Sequence, residues 1–134
     1  MENPALIICD QERTQLLEWI AAFDPPDIAV RNSLARLREE LKTADIRSNA
    51  DMPTNVVRLN STVDVDMPTG RRNGMRLVPH DQADLKQGRI SILSVLGSAL
   101  IGYPAGATIK WQMPKGEVDI HLVNVVNDPD RVSA

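Results

Sequence analysis

Side chains suited to nucleophilic or metal chemistry are few and widely spaced in this sequence: Cys9, His80 and His121. A cysteine with a histidine base could act as a nucleophile. However, Cys9 lies in an apolar run and His121 alternates with apolar residues, which favours structural positions for both. The spacings of common zinc sites and the glycine-rich phosphate loop are absent. We therefore expect no catalytic residue, no metal and no cofactor.

The carboxylates placed most suggestively are Asp24 and Asp27, which flank two prolines. Two carboxylates at a tight turn could hold a hard cation such as magnesium. Aspartates at a helix start are equally well explained by capping. The doubled cations Arg71 and Arg72 fall in a predicted turn, where solvation is favoured over a nucleic-acid contact.

Length and charge limit the possible functions. The chain has 134 residues, enough for one domain or a small domain with an appendage, and a net charge of −3. Residues 1–54 carry six basic and ten acidic side chains, and residues 55–134 carry nine and eight. We therefore expect no sequence-specific nucleic-acid binding. One cysteine, no long apolar run and no basic leader predict a cytoplasmic protein without a membrane segment.

Two amphipathic helices are predicted in the N-terminal part. Apolar residues recur at helical spacing in both segments: Leu16, Ile20 and Phe23, then Val30, Leu34, Leu37, Leu41 and Ala44. The short connection predicts an antiparallel hairpin in which the second set packs on the first. The pattern leaves two arrangements open, a pair packed on a sheet and a projecting finger. It also leaves the oligomeric state open, since such a seam can pair with a second copy.

The rest of the chain alternates as strands do. Residues 46–54 read as a linker, and strands follow around Val56 and Val63, with a hairpin turn predicted at Asn73-Gly74. Residues 89–111 are the most informative stretch: a strand, a short buried helix capped by Ser94, and a second strand. A turn at residues 114–116 and a last strand complete a compact antiparallel unit. The predicted class is α+β.

Two blocks in this part resemble a known family. They are SVLGSALIG at residues 94–102, followed by Gly106, Ile109, Trp111, Pro114 and Gly116, and MPTNVVRLNSTV at residues 52–63. Their order and spacing are similar to the Gre-type transcription elongation factors (GreA/GreB), and most closely to the short Rnk group, the regulators of nucleoside diphosphate kinase. The resemblance implies an N-terminal helical hairpin over residues 1–50, favoured as a short finger. It implies a C-terminal half-barrel like that of FK506-binding proteins (FKBP-like) over residues 51–134.

The resemblance also implies a partner. Gre-type factors bind RNA polymerase at the rim of its secondary channel, on a coiled coil of the largest subunit. By that match the contact would comprise Ser94, Val95, Leu96, Gly97 and Ser98. We expect Ser94, Val95 and Ser98 near the surface, above a buried Ala99 and Leu100. Valine at 95 replaces the usual proline, and Ala107 replaces a usual aspartate.

Three functions follow from the resemblance. The favoured one is an Rnk-like polymerase-binding regulator that competes with Gre-type factors and is not an enzyme. One alternative is a transcript-cleavage factor that uses Asp24 and Asp27, although the family's tip motif is not matched. Arms of about 20–25 Å are also short for that role. The second alternative is a prolyl isomerase, which needs an aromatic-lined pocket that one Phe, one Tyr and two Trp could hardly build.

Overall fold

The structure, a computed structural model, describes residues 5–113 and 116–127. The described residues form three α-helices and seven strands. In order they are β1 (Ile7–Cys9), α1 (Asp10–Ala22), α2 (Ile28–Lys42), β2 (Asp45–Arg47), β3 (Thr62–Met67), β4 (Gly70–Val78), β5 (Arg89–Ser91), α3 (Val95–Leu100), β6 (Thr108–Met113) and β7 (Gly116–Val126). The predicted turn at residues 114–116 lies mostly outside the described residues.

Five strands form a curled half-barrel sheet in the order β5-β4-β3-β7-β6. The predicted α+β class is confirmed. The prediction of a wholly antiparallel sheet was wrong, because β5 runs parallel to β4. Residues 79–88 return the chain along the sheet edge through two single helical turns, so β5 starts at the same end as its partner.

The predicted hairpin turn was also misplaced. The chain reverses at Pro68 and Thr69, since Met67 pairs with Gly70. The Asn73-Gly74 pair lies inside β4, where Gly74 adopts a left-handed φ of 68° and donates its N–H to Asp64 Oδ1 at 2.8 Å. A left-handed glycine serves a bulge as well as a turn, so the dipeptide marks a β-bulge here.

A short parallel pair, β1 with β2, joins the two ends of the helical segment. Ile7 pairs with Asp45 and Cys9 with Arg47. Residues 45–47 are therefore strand, at the start of the stretch predicted as a linker. The backbone of Ile7 also donates to Gly102 O at 3.0 Å, which fixes this pair to the segment after α3.

Helices α1 and α2 form the predicted antiparallel hairpin. Arg13 Nε, near the start of α1, donates to Leu41 O, near the end of α2, at 3.0 Å. The leucine and isoleucine positions of the predicted seam are buried, whereas Phe23, Val30 and Ala44 are half-buried. Each of the buried positions is at most 4% exposed: Leu16, Ile20, Leu34, Leu37 and Leu41. These residues belong to one hydrophobic cluster that also contains side chains of the sheet and α3.

Specific contacts hold the hairpin against the sheet along its length. Trp111 Nε1 donates to Ser33 Oγ at 2.8 Å, and Arg36 lies 4.1 Å from the Trp111 ring centroid while donating to Lys110 O. At the tip, Phe23 meets the His80 ring at a centroid distance of 4.6 Å. Of the two arrangements left open, the structure shows the packed pair, which differs from the finger that the resemblance favoured.

The opposite end of α1 is held by a buried ion pair. Arg58 Nη2 lies 2.6 Å from Glu12 Oε2, and both side chains are at most 15% exposed. Arg58 also donates to Asn49 Oδ1 at 2.6 Å. The division into domains at residues 1–50 and 51–134 stays a prediction. The ion pair of Glu12 with Arg58 joins the two segments.

Glu40 on α2 gives this packing a pH dependence. Burial raises its pKa, although Arg36 at 3.6 Å and the Tyr103 hydroxyl favour the charged form. The folded state therefore binds the proton more tightly than the unfolded state does, and the free energy of unfolding should fall as pH rises through the pKa of Glu40.

Glu40→Gln should remove this fall in the free energy of unfolding with rising pH. Urea denaturation at about pH 4 and about pH 7 should show a smaller decrease in stability for Glu40→Gln than for the wild type. The matched control is Glu39→Gln, because Glu39 is exposed and its hydrogen bond with Lys42 lowers its pKa instead of raising it. Equal pH dependence in wild type and Glu40→Gln would contradict the expectation.

Candidate docking groove

The corner between β5 and α3 is fixed by two serines. Ser94 Oγ accepts the Gly97 N–H at 3.0 Å and donates to Ser91 O at 2.7 Å. The predicted cap of the short helix is therefore confirmed. Side-chain hydrogen bonds of the two serines thus satisfy backbone groups at both ends of the turn.

The five predicted contact residues divide into two groups. Ser94, Val95 and Leu96 are half-buried, whereas Gly97 and Ser98 are buried. A Cβ on Gly97 would lie 2.2 Å from Ser91 O, so only glycine lets α3 approach β5. Ser98 is 1% exposed and donates to Ser94 O and Val95 O, so the expectation of a surface Ser98 was wrong. Ala99 and Leu100 are buried as predicted.

A groove of about 650 Å³ opens beside the exposed side of this corner. Its lining is mostly apolar and comes from the β3–β4 turn, residues 83–96 and the β6–β7 strands. The lining residues are Met67, Pro68, Thr69, Arg72, Ala83, Leu85, Ile90, Ser91, Ser94, Val95, Leu96, Met113 and Val118. We call this surface the docking groove.

The docking groove is lined by residues that are far apart in the sequence. Sequence reasoning found Ser94, Val95 and Leu96 but missed Leu85, whose side chain is 78% exposed. An exposed leucine is common by itself, but one that borders an apolar groove extends a contiguous patch. No signal in the sequence distinguished Leu85, because only the fold brings residues 67, 85, 95 and 113 together.

Arg71 and Arg72 do not lie in a solvated turn. Both are in β4, and their side chains take opposite faces. Arg71 pairs with Asp66 at 3.5 Å, whereas Arg72 lines the docking groove. Among the described residues that line the groove, Arg72 alone carries a charge.

The hairpin tip carries the two predicted carboxylates separately. Asp27 Oδ1 accepts the Ala29 N–H at 2.9 Å and so caps α2. Asp24 is 90% exposed at its side chain and lies 3.4 Å from Arg31 Nη2. Within the described residues, no group of three or more His, Cys, Asp or Glu side chains could hold a metal ion.

The remaining candidates for chemistry have structural partners. Cys9 is buried at the end of β1. His80 Nδ1 lies 2.9 Å from Ser91 Oγ, and His121 Nδ1 lies 3.1 Å from Thr108 Oγ1. The described helices include none long and apolar enough to cross a membrane.

Residues 52–127 match the family model for the C-terminal part of the transcription elongation factors GreA and GreB. The chain belongs to the GreA/GreB family. The match contains the whole five-stranded sheet, α3 and every residue of the docking groove. The predicted GreA/GreB family is confirmed, and the closer resemblance to the Rnk group stays a prediction.

Relatives of this GreA/GreB-family chain include GreA of Hyphomonas neptunium, 30% identical over 133 residues and spanning 94% of this chain and 84% of that protein. GreA of Bradyrhizobium diazoefficiens is 36% identical over 93 residues, spanning 69% of this chain and 59% of that protein. The solved GreA/GreB factor from Nitrosomonas europaea superposes with a TM-score of 0.70 at 28% identity, over 92% of this chain and 99% of that one. The family likeness therefore includes the helical hairpin.

Proposed function

We propose that this GreA/GreB-family chain is a cytoplasmic regulator that binds RNA polymerase through the docking groove. The partner surface would be the coiled coil at the rim of the secondary channel. The observation that carries the proposal is the half-buried apolar corner of Val95 and Leu96, which borders a groove of about 650 Å³. An apolar groove of this kind suits the apolar face of a helix.

The proposed regulator competes with longer factors without cleaving RNA itself, as the Rnk group does. Helices α1 and α2 have 13 and 15 residues, so each arm spans only about 20 Å. The tip is packed near His80 through Phe23 and not extended away from the sheet. Asp27 is engaged in capping, so the two carboxylates are not poised as a cation site.

The experiment is a pull-down of core RNA polymerase by the full chain, repeated with excess Gre factor. Binding that the Gre factor displaces would support the proposal. Binding without competition would move the site away from the channel, and no binding would refute it.

Transcript cleavage is the second candidate, favoured by relatives that bear the name GreA. Adding the chain to a backtracked elongation complex distinguishes the two functions. Full-length RNA is expected to persist. Shortened RNA that disappears with Asp24→Asn plus Asp27→Asn would establish cleavage instead.

A prolyl isomerase function has weaker support. The described residues that line the groove include no aromatic side chain, and both Trp111 and Tyr103 are fully buried elsewhere in the core. A bound proline ring would lack the aromatic wall that this activity needs.

A further inference from the structure

We propose that Arg72 selects the partner of the docking groove by pairing with an acidic side chain at the border of the bound helix's apolar face. The inference rests on the proposed function and adds to it the residue that sets specificity. The fitting partner is an amphipathic helix whose apolar side chains enter the groove and whose carboxylate faces the β3–β4 end.

The sheet register places Arg72 on the groove side. Arg72 stands opposite Val65 in the antiparallel pair of β3 and β4, and directly opposed residues share a face. Val65 is 0% exposed, so that face is the concave, core side of the sheet. Arg71 is opposite Asp66 and therefore lies on the outer face.

The bulge at Gly74 is what turns Arg72 inward. Val63 pairs with Met75, yet Val65 pairs with Arg72, so β4 contains one extra residue between these positions. A regular ladder would place Asn73 opposite Val65 and send Arg72 to the outer face. Re-aiming a side chain is a common use of a bulge, and Gly74 supplies the left-handed φ of 68°.

No described acidic side chain pairs with the charge of Arg72. The guanidinium forms no ion pair or hydrogen bond with the residues that the structure describes, whereas Arg71 has Asp66 at 3.5 Å. The other described lining residues are apolar or hydroxyl-bearing. A carboxylate brought to this position would form a charge-assisted pair in partly desolvated surroundings, and a cation there would be repelled.

The test measures binding of the full chain to core RNA polymerase over a range of salt concentrations. The variants are Arg72→Glu, Arg72→Met and the control Arg71→Glu, which makes the same charge reversal on the other face of the same strand. Arg72→Glu should weaken binding about tenfold or more at low salt, while Arg71→Glu stays within about twofold. Arg72→Met, which keeps apolar contact, should bind with a flatter salt dependence than the wild type.

The outcomes separate the two proposals. A wild type that binds, with Arg72→Glu equal to Arg71→Glu, overturns the role of Arg72 and leaves the proposed function standing. A wild type that does not bind overturns both. Thermal melts of all three variants should match the wild type, since these side chains are exposed. If Arg72→Glu alone melts at a lower temperature, the salt dependence of binding by Arg72→Met is the test instead. A flatter dependence than in the wild type supports the role of Arg72, and an equal dependence overturns it.

Discussion

Leu37→Asp is expected to unfold the whole chain and not only the helical hairpin. Leu37 is 0% exposed and lies in the cluster shared by α2, α3 and the sheet. An unpaired carboxylate at this site costs several kcal/mol, and the lost leucine contacts add about 2–5 kcal/mol. That sum is comparable to the whole stability of a small domain, about 5–15 kcal/mol.

Nuclear magnetic resonance spectra and thermal melts of Leu37→Asp would test this expectation. Ala35→Asp is the matched control, because it adds the same charge at an exposed position of the same helix. The control should retain dispersed spectra for both helices and sheet. If Leu37→Asp lost only the signals of residues 10–42, the hairpin would be a separable appendage and the shared core would not be one cooperative unit.

The second large effect is expected at the docking groove. Val95→Asp should weaken polymerase binding by about 30-fold or more, which corresponds to at least about 2 kcal/mol. A carboxylate in the centre of an apolar contact must be desolvated without a partner. The fold should survive, because Val95 is half-buried and an aspartate in the first turn of a helix is favourable.

Two control variants test whether a loss of binding by Val95→Asp is specific to the docking groove. Val126→Asp makes the same change at a valine that is 53% exposed and outside the groove, so it should bind as the wild type does. Asp24→Asn with Asp27→Asn should also bind normally, because the cap keeps most of its stability with asparagine. If the tip variant lost binding while a folded Val95→Asp kept it, the interface would lie at the hairpin tip.

Local patterns predicted the elements of this fold better than their arrangement. The helical spacing of Leu34, Leu37 and Leu41 identified the buried face of α2, and Ser94 identified the start of α3. Neither pattern could show which surface packs against the buried face. An apolar seam can pack on a partner helix or on a sheet. Contacts such as Trp111 with Ser33 therefore distinguish the packed pair from the finger.

The candidate site was also predictable only in its local part. The α3 corner could be found because its residues are consecutive and its cap has a clear signature. The groove could not, since Leu85 and Met113 reach it from distant segments. Arg72 was misjudged for a different reason. The left-handed glycine that suggests a turn also forms a bulge, and the extra residue of a bulge changes which face the residues on its two sides share.

The parallel pairing of β1 with β2 has an evolutionary consequence. The segment between these strands leaves the pair after Cys9 and re-enters it at Asp45, which lies opposite Ile7, two residues from the point of exit. Equal insertions into both helices would therefore lengthen the hairpin without altering the register of either strand or the sheet beneath it. Each added pair of turns would carry the tip past the edge near His80. One scaffold could thus acquire or lose a long arm by insertion and deletion alone, while the groove residues stayed unchanged.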